Sequence, residues 1–125
     1  MFHTKTYHEE TDIPLTRQRC RACEGGVQAL SLKEIDEMKS ALDGGWTVVD
    51  HHHLSRRYGF DNFKDALHFT NQVGALAESE GHHPDITVGW GKAEIMLFTH
   101  AVDGLTNNDF ILAAKISELL KPPFS

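Results

Sequence analysis

No stretch of this 125-residue chain is densely basic: Lys and Arg number 12 against 18 Asp and Glu, for a net charge of −6. The nearest basic clusters, Arg17-Gln18-Arg19-Cys20-Arg21 and Arg56-Arg57, are too small to line a groove for a polyanion, so no nucleic-acid partner is expected. No apolar run reaches the roughly 20 residues that a membrane span needs. The start, Met1-Phe2-His3-Thr4-Lys5, has no apolar core of the signal-peptide kind. A cytoplasmic protein without a membrane partner is the resulting expectation. Cysteine is nearly absent: Cys20 and Cys23 form a lone Cys-x-x-Cys. One such pair supplies half of a four-ligand zinc site, and the βαβ setting of a redox motif is missing. The pair therefore reads as structural or incidental, with a disulfide or a metal clip on a loose segment as the alternative. There is no Gly-x-Ser-x-Gly elbow and no phosphate-cradling glycine loop; Gly25-Gly26 and Gly89-Trp90-Gly91 are turn signals.

What is present organises into one domain. Hydrophobic residues make up 40%, enough for a modest core that association with sister subunits would reinforce. Residues 1–24 mix charge, Thr and Pro14 without a period and are expected to form a flexible N-terminal arm, with 25–125 as the domain. Ser31-Leu32-Lys33-Glu34 has the form of a capping box. It opens a helix marked by Leu32, Ile35, Met38 and Leu42 and ended by Gly44-Gly45. Trp46–Val49 and His53–Phe60 read as strands joined by a turn at His51-His52. Asp61 or Asn62 caps a second helix whose face is Phe63, Ala66, Leu67, Thr70, Val73, Gly74 and Ala77, ending near Gly81. Asp85–Val88 is a third strand. Alternation of Ala93, Ile95, Leu97 and Thr99 with Lys92, Glu94, Met96 and Phe98 marks a fourth. Thr106-x-x-Asp109 is a second capping box. It opens an amphipathic helix through Phe110, Ala113, Ala114, Ile116, Leu119 and Leu120 that Pro122-Pro123 stops. The order α-β-β-α-β-β-α predicts an α+β fold: a four-stranded antiparallel sheet with helices packed on one face.

Chemistry concentrates in the second half. His82-His83-Pro84 follows the second helix, His100 ends the fourth strand, and Asp109 sits in the first turn of the last helix. These positions can converge at one end of the sheet. Imidazole gives and takes protons near neutral pH, so three histidines and a carboxylate suit acid–base work. Taken singly, Asp109 is as well explained by capping, and a surface histidine by nothing at all. Metal binding is the weaker reading. Neighbouring side chains in extended chain diverge, and no His-x-x-x-His pair lies on a helix face. No metal site is expected, and His51-His52-His53 reads as a solvated turn.

The stretch Glu78-Ser79-Glu80-Gly81-His82-His83-Pro84, with Thr99-His100, Gly104-Leu105-Thr106 and Asp109, resembles the pterin-4a-carbinolamine dehydratases. Phe60-Asp61-Asn62-Phe63 is similar to the start of that family's long helix, and the likeness covers roughly residues 27–120. It departs from the family at Gly81, where an acidic or larger residue is common, and at Trp90, where tyrosine is. The resemblance implies loss of water from 4a-hydroxytetrahydrobiopterin to give quinonoid dihydrobiopterin, recycling the cofactor of aromatic amino-acid hydroxylases, with no cofactor of its own. It implies His82 and His83 as an acid–base pair and His100 as a third catalytic histidine that binds and polarises the pterin. It further implies Asp109, Glu78, Pro84 and Trp90 as substrate-binding positions. A small-molecule pterin is then the partner, and homodimers or homotetramers the usual assembly. The same fold also serves non-enzymatic interaction proteins, Rubisco assembly factors and a transcriptional dimerisation cofactor, which stand as the alternative.

Overall fold

Alternation along two central strands decides which face of the sheet is covered. The computed structural model describes residues 13–21 and 28–120. Cys23, Gly25-Gly26, Pro122-Pro123 and most of the expected 1–24 arm lie outside the described residues. The elements are α1 (Leu32–Lys39), β1 (Thr47–Val49), β2 (His53–Gly59), α2 (Phe63–Glu80), β3 (Asp85–Gly89), β4 (Lys92–Leu97) and α3 (Asn107–Glu118). The sheet is antiparallel throughout, in the order β1-β2-β4-β3. The α+β class and the α-β-β-α-β-β-α order are those the sequence predicts.

Pairing of Leu54 with Leu97, Arg56 with Ile95 and Tyr58 with Ala93 puts the buried residues of β2 and β4 on one face. A one-residue slip would turn that whole set to solvent, so the apolar pattern itself specifies the register. Against it lie Ala66, Phe69, Val73 and Ala77 of α2. The spacing of three, four and four selects a narrower stripe than the sequence suggests. Phe63 and Leu67 fall at its edge and are exposed, while Phe69 points inward and meets the rings of Tyr58 at 4.6 Å and Phe60 at 5.3 Å.

Helix α1 also ends earlier than expected. Its capping box is present, with Ser31 N–H to Glu34 Oε1 at 2.8 Å and Glu34 N–H to Ser31 Oγ at 3.2 Å. After Lys39, tighter turns take over: Ala41 N–H reaches Met38 O and Leu42 N–H reaches Lys39 O, both at 3.0 Å. Leu42 is buried from outside the helix, and Leu32 is exposed. Gly44-Gly45 form a separate turn, in which Asp43 accepts the Gly45 N–H. Asp43 also pairs with Arg56, whose guanidinium lies 4.4 Å from the centre of the Tyr58 ring. That contact ties the α1–β1 loop to the sheet.

Helix α3 is more deeply buried than an amphipathic helix, continuously from Asn108 to Ala114 and again at Ile116. The extra cover comes from residues 13–21, whose short 3₁₀ turn at Leu15–Arg17 packs on α3. The segment is fastened at its far end. Cys20 N–H donates to Glu80 Oε1 at 2.9 Å, and Glu80 Oε2 takes Lys115 Nζ of α3 at 2.6 Å and faces Arg19 Nε at 3.5 Å. One carboxylate at the end of α2 thus joins α3 and residues 13–21. Among the described residues, no helix is long and apolar enough to cross a membrane.

Burial works against the Glu80 charge, but the Lys115 bond, the Cys20 N–H and Arg19 outweigh it and hold the carboxyl below the usual carboxylate range. The unfolded chain then binds more protons on acidification. The stabilisation is fully present above the unfolded value, about 4.3, and is lost as pH falls through the folded one. Glu80→Gln should therefore flatten the acid limb of stability below about pH 5. Urea midpoints measured from pH 7 down to pH 3 check this; an acid slope equal to that of wild type would count against the arrangement.

Candidate active site

Helix α2 stops where it does because of Gly81. This residue adopts φ +68°, the left-handed conformation glycine takes without a Cβ penalty. His82 N–H returns to Ala77 O and Gly81 N–H to Glu78 O, both at 3.3 Å, a Schellman closure. Pro84 then keeps the chain extended, and Asp85 pairs with Met96 to begin β3. Two residues, His82 and His83, are held between a fixed helix end and a fixed strand start. Gly81 is thus the residue that reverses the chain.

The neighbouring rings diverge. His82 turns inward, its side chain 11% exposed, and its Nε2 lies 2.6 Å from Oδ1 of the fully buried Asp109. His83 turns outward, 61% exposed, with Nε2 2.6 Å from Glu78 Oε2 one turn back on α2. Asp109 is the hub. Its Oδ2 accepts from Thr99 Oγ1 at 2.7 Å and from Thr106 N–H at 2.9 Å. The last bond is the return arm of the capping box at the start of α3. A buried carboxylate needs such donors to stand in for lost water. Because a carboxylate only accepts, a neutral His82 ring would carry its proton on Nε2 and its lone pair on Nδ1.

His100 opens a short 3₁₀ turn, His100–Val102, and is exposed. Thr99 and Gly104 close the base of this loop by paired backbone bonds of 2.8 and 3.4 Å. The His100 ring packs on Phe98 at 4.2 Å, which in turn meets His52 at 4.6 Å. His52 Nε2 lies 2.8 Å from Asp103 Oδ1. The β1–β2 turn therefore braces the His100 loop. In that turn Asp50 and His51 have φ of 54° and 55°, the twist that suits a tight hairpin. His52 is half-buried and partnered, not the solvated turn residue the sequence suggests.

A cavity of about 340 Å³ opens between these elements. The α2–β3 link lines it with Gly81 through Asp85, the His100 loop with Thr99, His100 and Ala101, α3 with Asn108, and the N-terminal segment with Arg21. The cavity brings together His82, His83, Pro84 and His100, with Asp109 behind His82. Glu78 stands beside it through His83. Trp90 is elsewhere, at the tip of the β3–β4 hairpin and 76% exposed. Thr99, Asn108, Asp85 and Arg21 escape sequence reasoning. Thr99 looks like one more inward strand residue, and nothing local ties Arg21 to a helix 87 positions away. Among the described residues, no group of three or more His, Cys, Asp or Glu could hold a metal ion. Burial, with Glu80 beside it, pushes the Cys20 thiol up to about 12, so it is no ready nucleophile.

A family model described as pterin 4 alpha carbinolamine dehydratase matches residues 28–119. The chain belongs to this family. A Rubrobacter xylanophilus protein with the provisional name pterin-4-alpha-carbinolamine dehydratase is 51% identical over 105 residues, covering 84% of this chain and 97% of its own. A similarly named Alkaliphilus metalliredigens protein is 48% identical over 104 residues, covering 83% and 94%. Among solved structures, a Brucella melitensis protein described as a transcriptional coactivator/pterin dehydratase superposes with a TM-score of 0.70 at 30% identity, over 75% of this chain and all of that one. A pterin dehydratase-like protein identified as a RuBisCO assembly factor in the alpha-carboxysome shares the fold, with a TM-score of 0.53 at 24% identity over 62% and 90%.

Within this dehydratase-family framework Asp109 carries the greatest structural weight. Asp109→Ala strands the Thr106 N–H and the His82 ring and leaves the Thr99 hydroxyl only Thr106 Oγ1 at 2.8 Å, and should lower stability by roughly 2–4 kcal/mol. Asp109→Asn, which keeps an acceptor for part of the set, should cost less. Urea unfolding of both variants decides it; a loss for Asp109→Ala below about 0.5 kcal/mol, the range of ordinary surface changes, would refute the hub.

Proposed function

We propose that the chain dehydrates 4a-hydroxytetrahydropterins, 4a-hydroxytetrahydrobiopterin being the reference substrate, to the quinonoid dihydropterin, so recycling the pterin of aromatic amino-acid hydroxylases. The observation that carries this reading is the His82–Asp109 pair at 2.6 Å on a cavity that His83 and His100 also line. Family membership supports it. In the reaction the C4a–O bond breaks and the oxygen leaves as water with one added proton. N5 gives up its proton, and the N5 electron pair forms the C4a=N5 bond. Electrons are neither gained nor lost overall, so the step calls on no redox cofactor.

Two proton carriers are required, and the site offers two unlike ones. His82, oriented by Asp109, presents a lone pair at Nδ1 and suits the base that takes the N5 proton. His83, open to solvent and steadied by Glu78, can be reloaded from bulk water and suits the acid that protonates the hydroxyl. His100 binds and polarises the pterin from the opposite wall, and Pro84 bounds the ring. Trp90 would meet substrate only through a neighbouring subunit. A cytoplasmic homodimer or homotetramer belongs to this reading, β1 and β3 each having one edge unpaired among the described residues. An interaction role is the alternative, since the Brucella protein is described under both functions.

The test is the dehydration rate of freshly generated 4a-hydroxy-6-methyltetrahydropterin. Wild type should accelerate it strongly, and the His82→Ala/His83→Ala double variant should lose about 100-fold or more, in line with general acid–base contributions. His83→Ala alone should keep its folding stability within about 0.5 kcal/mol, as an exposed side chain does. No acceleration by folded wild type would reject the enzyme reading in favour of an interaction role.

A further inference from the structure

Arg21 lies outside the 28–119 stretch that the family model matches, yet it lines the cavity. We infer that Arg21 is a specificity-determining residue that favours pterins whose C6 substituent carries a carboxylate or a phosphate. The inference rests on the dehydratase reading and deepens it by naming the substrate class.

The position of Arg21 is fixed by its backbone. The Asn108 side chain clamps it from both sides, Oδ1 accepting the Arg21 N–H at 2.9 Å and Nδ2 donating to the Arg21 carbonyl at 2.5 Å. The preceding residue is held by Cys20 N–H to Glu80 Oε1. The clamp is built on α3 next to Asp109, so it places Arg21 in register with the pair behind the cavity. Asn108 itself is buried, and its amide is occupied by this contact.

The side chain, by contrast, is held by none of the described residues. Arg21 is exposed, and its guanidinium has no hydrogen-bond or ion-pair partner among the described residues. It is also the cavity's only Lys or Arg among the described residues. The other charges there are acidic or imidazole: Asp85 on the wall, Asp109 behind His82, and Glu78 against His83. The chain as a whole carries −6. Among the described residues, Arg21 is thus the one permanently cationic side chain an anionic substrate would meet there.

Depth places the interaction on the substituent and not on the ring. His82, with Asp109 behind it, is largely buried, whereas Arg21 is exposed to solvent. On a pterin, C6 is bonded to N5, the atom that loses its proton. A substituent on C6 thus begins beside the reacting centre and leaves towards the opening. Guanidinium presents a planar fork that matches carboxylate and phosphate oxygens, and the pair is strongest where water is partly excluded.

Titration calorimetry on the full chain tests this with three stable 7,8-dihydropterins. Dihydrobiopterin is neutral at C6, dihydroneopterin 3′-monophosphate carries a phosphate, and dihydrofolate carries glutamate carboxylates. Wild type, Arg21→Gln and Arg21→Lys are compared as the ratio of each anionic Kd to the neutral one. Arg21→Gln should raise the ratio about tenfold for at least one anionic ligand, Arg21→Lys should recover part of the loss, and the wild-type preference should shrink with added salt. The ligand that responds identifies phosphate or carboxylate as the source. Equal weakening of all three ligands, or no change, overturns the inference. Turnover of the neutral 4a-hydroxy-6-methyltetrahydropterin by wild type is measured alongside. Turnover without discrimination removes only the role of Arg21, whereas absence of turnover removes the dehydratase reading and this inference with it.

Discussion

A carboxylate with no exposure to solvent holds the functional end of this molecule together. Asp109 would be prohibitively costly to bury alone, and it is stable because three donors from three parts of the chain converge on it. The Thr106 N–H belongs to the start of α3, the Thr99 hydroxyl to the end of β4, and the His82 ring to the link between α2 and β3. The positive end of the α3 dipole adds to the same side of the balance. The Thr106 bond is local to α3, but the carboxylate gains all three donors only when β4 and the α2–β3 link also reach it. The polar cluster thus fixes the relative placement of the sheet and two helices at the point where the cavity opens.

From this constraint follows the inequality of the two adjacent histidines. An extended backbone sends neighbouring side chains to opposite sides, and only one side has the carboxylate. His82 acquires a defined ring orientation and a single free nitrogen, while His83 remains in contact with water and with the exposed Glu78. A sequence repeat of one residue type becomes two different proton-transfer groups. The difference is created by burial and by partner, with no difference in covalent chemistry. Two ring contacts through Phe98 and the hydrogen bond of His52 to Asp103 complete the frame by holding the third histidine from the far side.

Much of this was legible in order along the chain, because local rules dominate there. The two capping boxes, the glycine at the end of α2, the proline that follows the histidines and the alternation along β4 each act within a few residues. Packing against distant segments lies beyond such rules. Phe69 faces the core because Tyr58 and Phe60 are there to meet it, and Phe63 does not because nothing covers it. Helix α3 reads as amphipathic until residues 13–21 are laid across it. In the site, the histidines and Asp109 stand out as residue types. Thr99, Asn108 and Arg21 do not, since their importance comes from contacts that span 10 to 88 positions.

Those separations bear on the order in which the molecule assembles. The contacts of β1 with β2 and of β3 with β4 close short loops, whereas the clamp between Arg21 and Asn108 joins residues 87 apart, and Cys20 meets Glu80 across 60. Closing such long loops is entropically slow and is rewarded only once the surfaces they join exist. During synthesis, residues 13–21 leave the ribosome well before their docking surface on α3. The cavity wall that carries Arg21 therefore cannot form until α3 is in place, because Asn108 of that helix supplies the clamp that holds it.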